Sequence, residues 1–290
     1  MNKILIIVVI VIIILIIALA IYFSSDDKQE KLASYRKRIF NPKITDIRLE
    51  SPIAEEPHFQ RVMDLTKQLP REFNINEFFF VMLYKKYFDR DDVYSMCDEK
   101  DIKQTGDLAQ KVIGIDGDFM EAGCWRGGMG MYLKAILNTY NSKKKLYLMD
   151  TFSYFPEPKL GETDKMVHPV TKLLYEKYYP VDKIKKRFQE LELLDDNVIF
   201  VKGEFENSVP KIEKDIKHIA LLRIDSDYYD SVKYILEKFY SKVSKGGVII
   251  IDDYNNTAVN CKQAVDEFRK ANQIKSELVN SINGAIYWIK

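Results

Sequence analysis

An α/β fold built on a mostly parallel sheet, with helices on both faces and one transmembrane helix ahead of it, is what this sequence predicts. Three observations predict it. From Asp118 onward, strand-length apolar runs alternate with helix-length amphipathic segments, the pattern of a parallel sheet. Residues 119–130 read FMEAGCWRGGMG, an apolar lead-in, a glycine-rich turn and the start of a helix. Residues 4–23 hold no charged side chain and are mostly Ile, Leu, Val and Ala.

The N-terminal run comes first. Twenty residues at about 1.5 Å rise span about 30 Å, the thickness of a bilayer core. A cleaved signal peptide is the alternative, with Ala18-Leu19-Ala20 as its cleavage motif, but the run exceeds the usual h-region of roughly 7–15 residues. Residues 1–23 are therefore read as a cytoplasmic tip and anchor. Lys28, Lys31, Arg36, Lys37 and Arg38 outnumber Lys3, which puts a single-pass protein's catalytic domain in the cytoplasm. Residues 24–56 are polar, contain Pro42 and Pro52, and read as a juxtamembrane stalk. Residues 57–117 form an N-terminal helical extension whose aromatic cluster at Phe78, Phe79, Phe80, Tyr84, Tyr87 and Phe88 is expected to pack on the sheet.

Residues 118–290 carry the alternation. A strand at 119–121 ends in Glu121, and Leu133, Ile136, Leu137 and Tyr140 place a helix behind the turn. A second strand at 146–149 ends in Asp150. Residues 151–182 lack periodicity and contain Pro156, Pro158, Pro169 and Pro180, which suits a lid or binding loop. Helix 183–194 and strand 198–201, closed by Gly203, follow. Strand 219–224 runs into Asp225-Ser226-Asp227. The next helix shows Val232, Ile235, Leu236, Phe239 and Val243 on one face and stops at Gly246-Gly247. Strand 248–251 ends in Asp252-Asp253. A helix near 260–272 precedes a C-terminal antiparallel hairpin turning at Asn283-Gly284.

Composition narrows the function. The 44 basic and 43 acidic residues nearly cancel, which gives no footprint for nucleic acid. Cys97, Cys124 and Cys261 are odd in number and far apart, so neither a zinc site nor a disulfide framework is indicated. Glycines let the backbone approach a ligand, and the helix behind them offers unpaired N–H groups. Asp150, about twenty residues on at a strand end, suits ribose hydroxyls. Glu121, Asp150, Asp225, Asp227, Asp252 and Asp253 all fall at strand ends, where open α/β sheets bind ligands. Asp225 and the pair Asp252-Asp253 end neighbouring strands and would repel one another unless a cation such as magnesium binds. Helix capping by solvated acids is the plainer reading.

The segments EAGCWRGG (121–128), LLRIDSDYYDS (221–231), GGVIIIDDY (246–254) and GAIYW (284–288) resemble the macrocin O-methyltransferase family. The resemblance implies a Rossmann-like class I methyltransferase fold using S-adenosylmethionine and Mg2+ to methylate a sugar hydroxyl of a small molecule. It implies Glu121, Gly123 and Trp125 beside the methionine and ribose of the cofactor, Asp150 on the ribose, and Asp225, Asp252 and Asp253 on the metal. Gly127, Gly128 and Gly203 complete the expected cofactor-binding set. An alcohol attacks a methyl sulfonium only as its proton leaves, so a base is needed. The lysine that serves catechol-type methyltransferases is replaced here by Tyr228. Asp225 is favoured, with Asp227 and His168 of the lid as alternatives. The acceptor is expected to be a small molecule, with the membrane met through the N-terminal helix and a homo-oligomer compatible with the chain. Two rival readings are a type II membrane glycosyltransferase, on the strength of Asp225-Ser226-Asp227, and a non-catalytic membrane-tethered relative.

Overall fold

A computed structural model of the chain describes residues 25–40, 57–70, 92–175, 179–281 and 284–290. The strands are β1 (Asp118–Ala122), β2 (Leu146–Asp150), β3 (Val198–Lys202), β4 (Ile219–Ile224), β5 (Val243–Ile251), β6 (Val279–Asn280) and β7 (Ile286–Ile289). The helices are α1 (25–40), α2 (Pro57–Thr66), α3 (Glu99–Lys111), α4 (Gly128–Thr139), α5 (Glu162–Leu174), α6 (Val181–Glu190), α7 (Phe205–Ile212), α8 (Tyr229–Phe239) and α9 (Cys261–Ala271).

One sheet runs in the order β3-β2-β1-β4-β5-β7-β6. β1 to β5 are parallel, and β7 pairs antiparallel with both β5 and β6. The central strands are mostly apolar because helices cover both faces, with Glu121 on β1 and Arg223 on β4 as buried exceptions. On one face, Phe119, Leu148, Leu221 and Ile250 pack with α3, α4 and α6. On the other, Met120, Met149, Leu222 and Ile249 pack with α8 and α9 and with Trp288. The strand order reverses between β1 and β4. Ligands bind beyond the carboxyl ends of strands at such a switch point.

Four expectations change. The stretch read as a stalk contains α1, whose Leu32 and Ile39 are buried in the core beside α3 and α4, with Phe40 edge-on to Tyr132 at 5.7 Å. Two apolar residues seven apart were too sparse a signal to show a docked helix among so many charges. The stretch read as an irregular lid contains α5, a regular helix despite Pro169. Val243 opens β5 instead of closing the preceding helix, which ends at Phe239. Lys290 there donates to the carbonyls of Tyr240, Ser241 and Val243 at 2.8–3.0 Å, satisfying the chain as it leaves the helix. Single-pass membrane placement with a cytoplasmic domain is corrected too. Among the described residues no helix is long and apolar enough to cross a membrane, and the expected anchor at 4–23 lies outside them. The aromatic cluster at 78–88 lies outside them as well.

Candidate active site

The glycine-rich turn is held from below by one carboxylate. Asp150, at the end of β2, accepts from the amides of Cys124 (2.7 Å) and Trp125 (3.0 Å) on one oxygen and from that of Phe152 (2.8 Å) on the other. Burial pushes its pKa up, and these amides oppose the shift. Both oxygens thus accept from the loop. Gly123 has φ +84°, and a Cβ there would lie 1.8 Å from the Asp225 carbonyl oxygen. The turn after β1 and the end of β4 can therefore meet only at a glycine. Trp125 takes φ +46°, a left-handed conformation uncommon for a bulky side chain. Its ring lies 4.5 Å from the Arg126 guanidinium, which also faces Tyr179 and donates to the Val93 carbonyl.

A cavity of about 340 Å³ opens at the switch point. Glu121, Gly123, Trp125, Asp150 and Gly203 line it, as do Asp225, Asp227, Asp252 and Asp253. Gly127 and Gly128 do not; the first precedes α4 in a left-handed conformation, and the second donates from its amide to the Tyr94 carbonyl at 2.8 Å. The Gly128 amide thereby ties the turn to the 92–97 segment, while the Gly127 amide closes the turn on the Cys124 carbonyl at 2.7 Å.

The acids meet around a residue that sequence reasoning passed over. Arg223 on β4 is wholly buried and lies in register with Glu121 on β1, itself 1% exposed. One guanidinium nitrogen donates to Glu121 (2.9 Å) and Asp225 (2.6 Å), the other to Asp252 (2.6 Å) and the Cys97 sulfur (3.1 Å). Residues two apart on a strand share a face, so Arg223 and Asp225 project together, and Asp252 lies two beyond Ile250, the β5 partner of Arg223. The signal was present: a lone arginine inside Ile-Ala-Leu-Leu-Arg-Ile, an apolar buried strand, demands acidic partners. Cys97 had no comparable signal, since it arrives from outside the sheet.

Burial pushes Glu121 up to about 8, against the pull of Arg223, and Asp252 up to about 7 against the same pull. Asp227, φ +56°, is raised to about 8 by burial and by Asp225, and Asp253 is raised by burial and by Asp227. The buried oxygens Glu121 Oε2 and Asp253 Oδ2 have no hydrogen-bond partner among the described residues.

The opposite wall is aromatic. Phe155 packs on Tyr175 (5.1 Å) and on Tyr228 (4.7 Å), and all three line the cavity. His168 does not line it. It sits on α5 behind Tyr228, with Nδ1 3.4 Å from the phenol oxygen, and burial lowers its pKa. α5 is fixed at its start by a reciprocal clamp. Buried Asp164 accepts from the amides of Tyr229 and Asn260, both at 2.7 Å. Asn260 in turn accepts from the amides of Thr163 (3.0 Å) and Asp164 (3.2 Å). On its other side α5 packs Val170 and Leu173 against Phe59, Val62 and Met63 of α2.

Residues 88–290 match the family model described as Macrocin-O-methyltransferase (TylF). The chain belongs to the macrocin O-methyltransferase family. It is 30% identical over 202 residues to demethyldecarbamoylnovobiocin O-methyltransferase of Streptomyces niveus, covering 67% of this chain and 75% of that one. It is 33% identical over 184 residues to mycinamicin III 3''-O-methyltransferase of Micromonospora griseorubida, covering 60% and 69%. The solved structure of the O-methyltransferase NovP superposes with a TM-score of 0.63 at 30% identity, over 68% of this chain and 82% of NovP. Calicheamicin methyltransferase CalS11, at 19% identity and TM-score 0.54, shares the fold.

As a macrocin O-methyltransferase family member, the chain is an S-adenosylmethionine-dependent O-methyltransferase with a Rossmann-like fold. The glycosyltransferase reading of Asp225-Ser226-Asp227 is set aside by that membership.

Proposed function

We propose that this enzyme transfers a methyl group to a sugar hydroxyl of a glycosylated small molecule, with residues 118–290 carrying the chemistry and 57–117 extending it. The carrying observation is one cavity that joins the glycine-rich turn to the acid rim, walled by Phe155, Tyr175 and Tyr228. The relatives support the acceptor class: the mycinamicin enzyme is named for a 3''-oxygen, and an enzyme of Streptomyces olivaceus is named for the 4'-oxygen of a rhamnosyl tetracenomycin.

Two features suit the cofactor. Gly123 lines the cavity at the point where the turn passes the Asp225 carbonyl, and Glu121, which also lines it, keeps Oε2 buried with no hydrogen-bond partner among the described residues. S-Adenosylmethionine supplies an electrophilic methyl on a sulfonium. Gly123, Trp125 and Gly203 shape its binding edge, while Asp150 keeps the turn open through its three amide contacts.

The rim suits a divalent cation. Asp225 and Asp252 offer hard oxygen donors that, with the Cys97 sulfur, lie within 4.8 Å of one another. Asp253, expected to complete the set, lies outside that group but keeps Oδ2 buried with no hydrogen-bond partner among the described residues. Magnesium supplies Lewis acidity toward an acceptor oxygen. The chain's own part is to orient the acceptor between the aromatic wall and the rim and to take its proton on Asp225. One Asp225 oxygen is held by Arg223, and the other has no partner among the described residues. With that proton on Asp225, the acceptor oxygen would be free to take the methyl group that bound S-adenosylmethionine would supply. His168 acts one layer back, by steadying Tyr228.

The test is incubation of the full chain with methyl-labelled S-adenosylmethionine and a set of glycosylated small molecules, with products located by NMR. A methoxy group on a sugar carbon is expected. Label found only on nitrogen, or only on the aglycone, would overturn the acceptor class.

A further inference from the structure

Arg223 does not line the cavity, yet each of its four partners does. Glu121 faces the glycine-rich turn, whereas Asp225 and Asp252 belong to the acid rim. A guanidinium carries five N–H groups in a rigid fork. The terminal nitrogens' four are committed one each to Glu121, Asp225, Asp252 and Cys97, and Nε has no partner among the described residues. The side chain is wholly buried, so a change at any one acid is felt by the others through this fork.

We infer that Arg223 is a shared counter-ion that couples the cofactor side of the cavity to the acceptor side. It is a positioning residue: it holds one oxygen each of Glu121, Asp225 and Asp252, while the second Asp252 oxygen faces the Cys97 thiol at 3.9 Å. A cation or acceptor drawing on Asp225 and Asp252 loosens their hold on the guanidinium and strengthens its pull on Glu121. Occupancy of one side thereby alters affinity at the other, and linkage makes the effect reciprocal. A lysine could not do this, because a single ammonium cannot bridge acids on three strands in a planar fork.

This rests on the proposed function in assigning Glu121 to the cofactor side and Asp225 and Asp252 to the acceptor side. The test is a double-mutant cycle on the full chain. Binding of S-adenosylhomocysteine is measured by calorimetry, without added cation, for wild type, Glu121→Gln, Asp252→Asn and the double variant. The affinity of the double variant should depart from the product of the single effects by more than about twofold. The same cycle in an Arg223→Lys background should lose that departure. Additive effects in the first cycle overturn the inference, as does coupling that persists undiminished with lysine. If Arg223→Lys lacks a cooperative thermal transition, the first cycle decides alone. If wild type binds no S-adenosylhomocysteine, the cofactor assignment fails. The inference is then judged by the same cycle read in urea midpoints, where additivity overturns it and coupling sustains it.

Discussion

The turn after β1 and the rim after β4 and β5 face one cavity, yet they are held by different means. The turn is fixed by backbone: amides of Cys124, Trp125 and Phe152 on Asp150, and a glycine where Gly123 meets the Asp225 carbonyl. The rim is fixed by side chains brought from three strands to one guanidinium, and the aromatic wall beside it hangs on the clamp between Asp164 and Asn260. Backbone anchoring gives a rigid surface that depends on few side-chain identities. Side-chain anchoring gives a surface whose charge responds to what binds it. The first suits a constant cofactor and the second a reacting acceptor.

The harshest way to break that contrast is Gly123→Ala. It adds a Cβ 1.8 Å from a carbonyl oxygen at a positive φ, so both halves must shift. A loss of about 3 kcal/mol or more is expected, roughly 6–12 °C in Tm, with methyl transfer abolished. An unchanged melting curve would mean that the joint is not tight. Next comes Asp150→Ala. Three loop amides lose their acceptor, so affinity for S-adenosylhomocysteine should fall about 100-fold, or ~3 kcal/mol, in calorimetry. Asp150→Asn, which keeps an acceptor oxygen, should fall less. Equal losses for the two variants would point to the charge rather than the loop.

Chelation probes the rim. Removing divalent cations should lower turnover about tenfold or more, with recovery on adding magnesium, while S-adenosylhomocysteine still binds. Full activity in chelator would leave Arg223 as the rim's sole counter-ion. The aromatic wall should respond on its own: Phe155→Ala should raise the acceptor KM by about fivefold, from ~1 kcal/mol of lost ring contact, and leave cofactor affinity alone. A matching loss of cofactor affinity would show that wall and turn are not separate.

The smallest expected effect is on stability against pH. Glu121 and Asp227 titrate near 8 and Asp252 near 7, each raised mainly by burial. An acid raised on folding keeps its proton after the unfolded chain has lost it near pH 4. Its stabilising contribution is therefore full below that value and is lost as pH rises toward the folded pKa. His168, lowered by burial, works against stability only as pH falls below about 6.5. Cation-free protein should therefore melt a few degrees higher at pH 6.5 than at pH 8, and saturating magnesium should flatten the difference. A Tm that rises with pH over that window would contradict the protonated rim.

Much of the fold was legible in the sequence because it rests on local periodicity. Runs such as Val198–Lys202 and Ile219–Ile224 are too apolar to be anything but covered strands, and glycines at a strand end leave few alternatives to a ligand turn. The positions of Glu121, Asp150, Asp225, Asp252 and Asp253 at one rim follow from that alternation alone. Helices with weak periodicity were not legible. α1 shows two buried apolar residues among charges, and α5 is interrupted by Pro169, so only packing against α3 and α4, or against α2, reveals why they form.

What the sequence by itself determined is the order of the elements, the family, and the edge of the sheet at which chemistry gathers. Only the tertiary structure decided what each acid touches. Asp150 was placed by spacing, but its oxygens are claimed by amides twenty-five and twenty-six residues away and by a third two residues on. Arg223 is one charge in an apolar run until β1 brings Glu121 beside it and β5 brings Asp252, residues 102 and 29 positions distant. Local sequence sets backbone preference and burial through short-range sterics and hydrophobic period. The partner of a buried charge is set by strand register across the whole chain, and no window of sequence contains it.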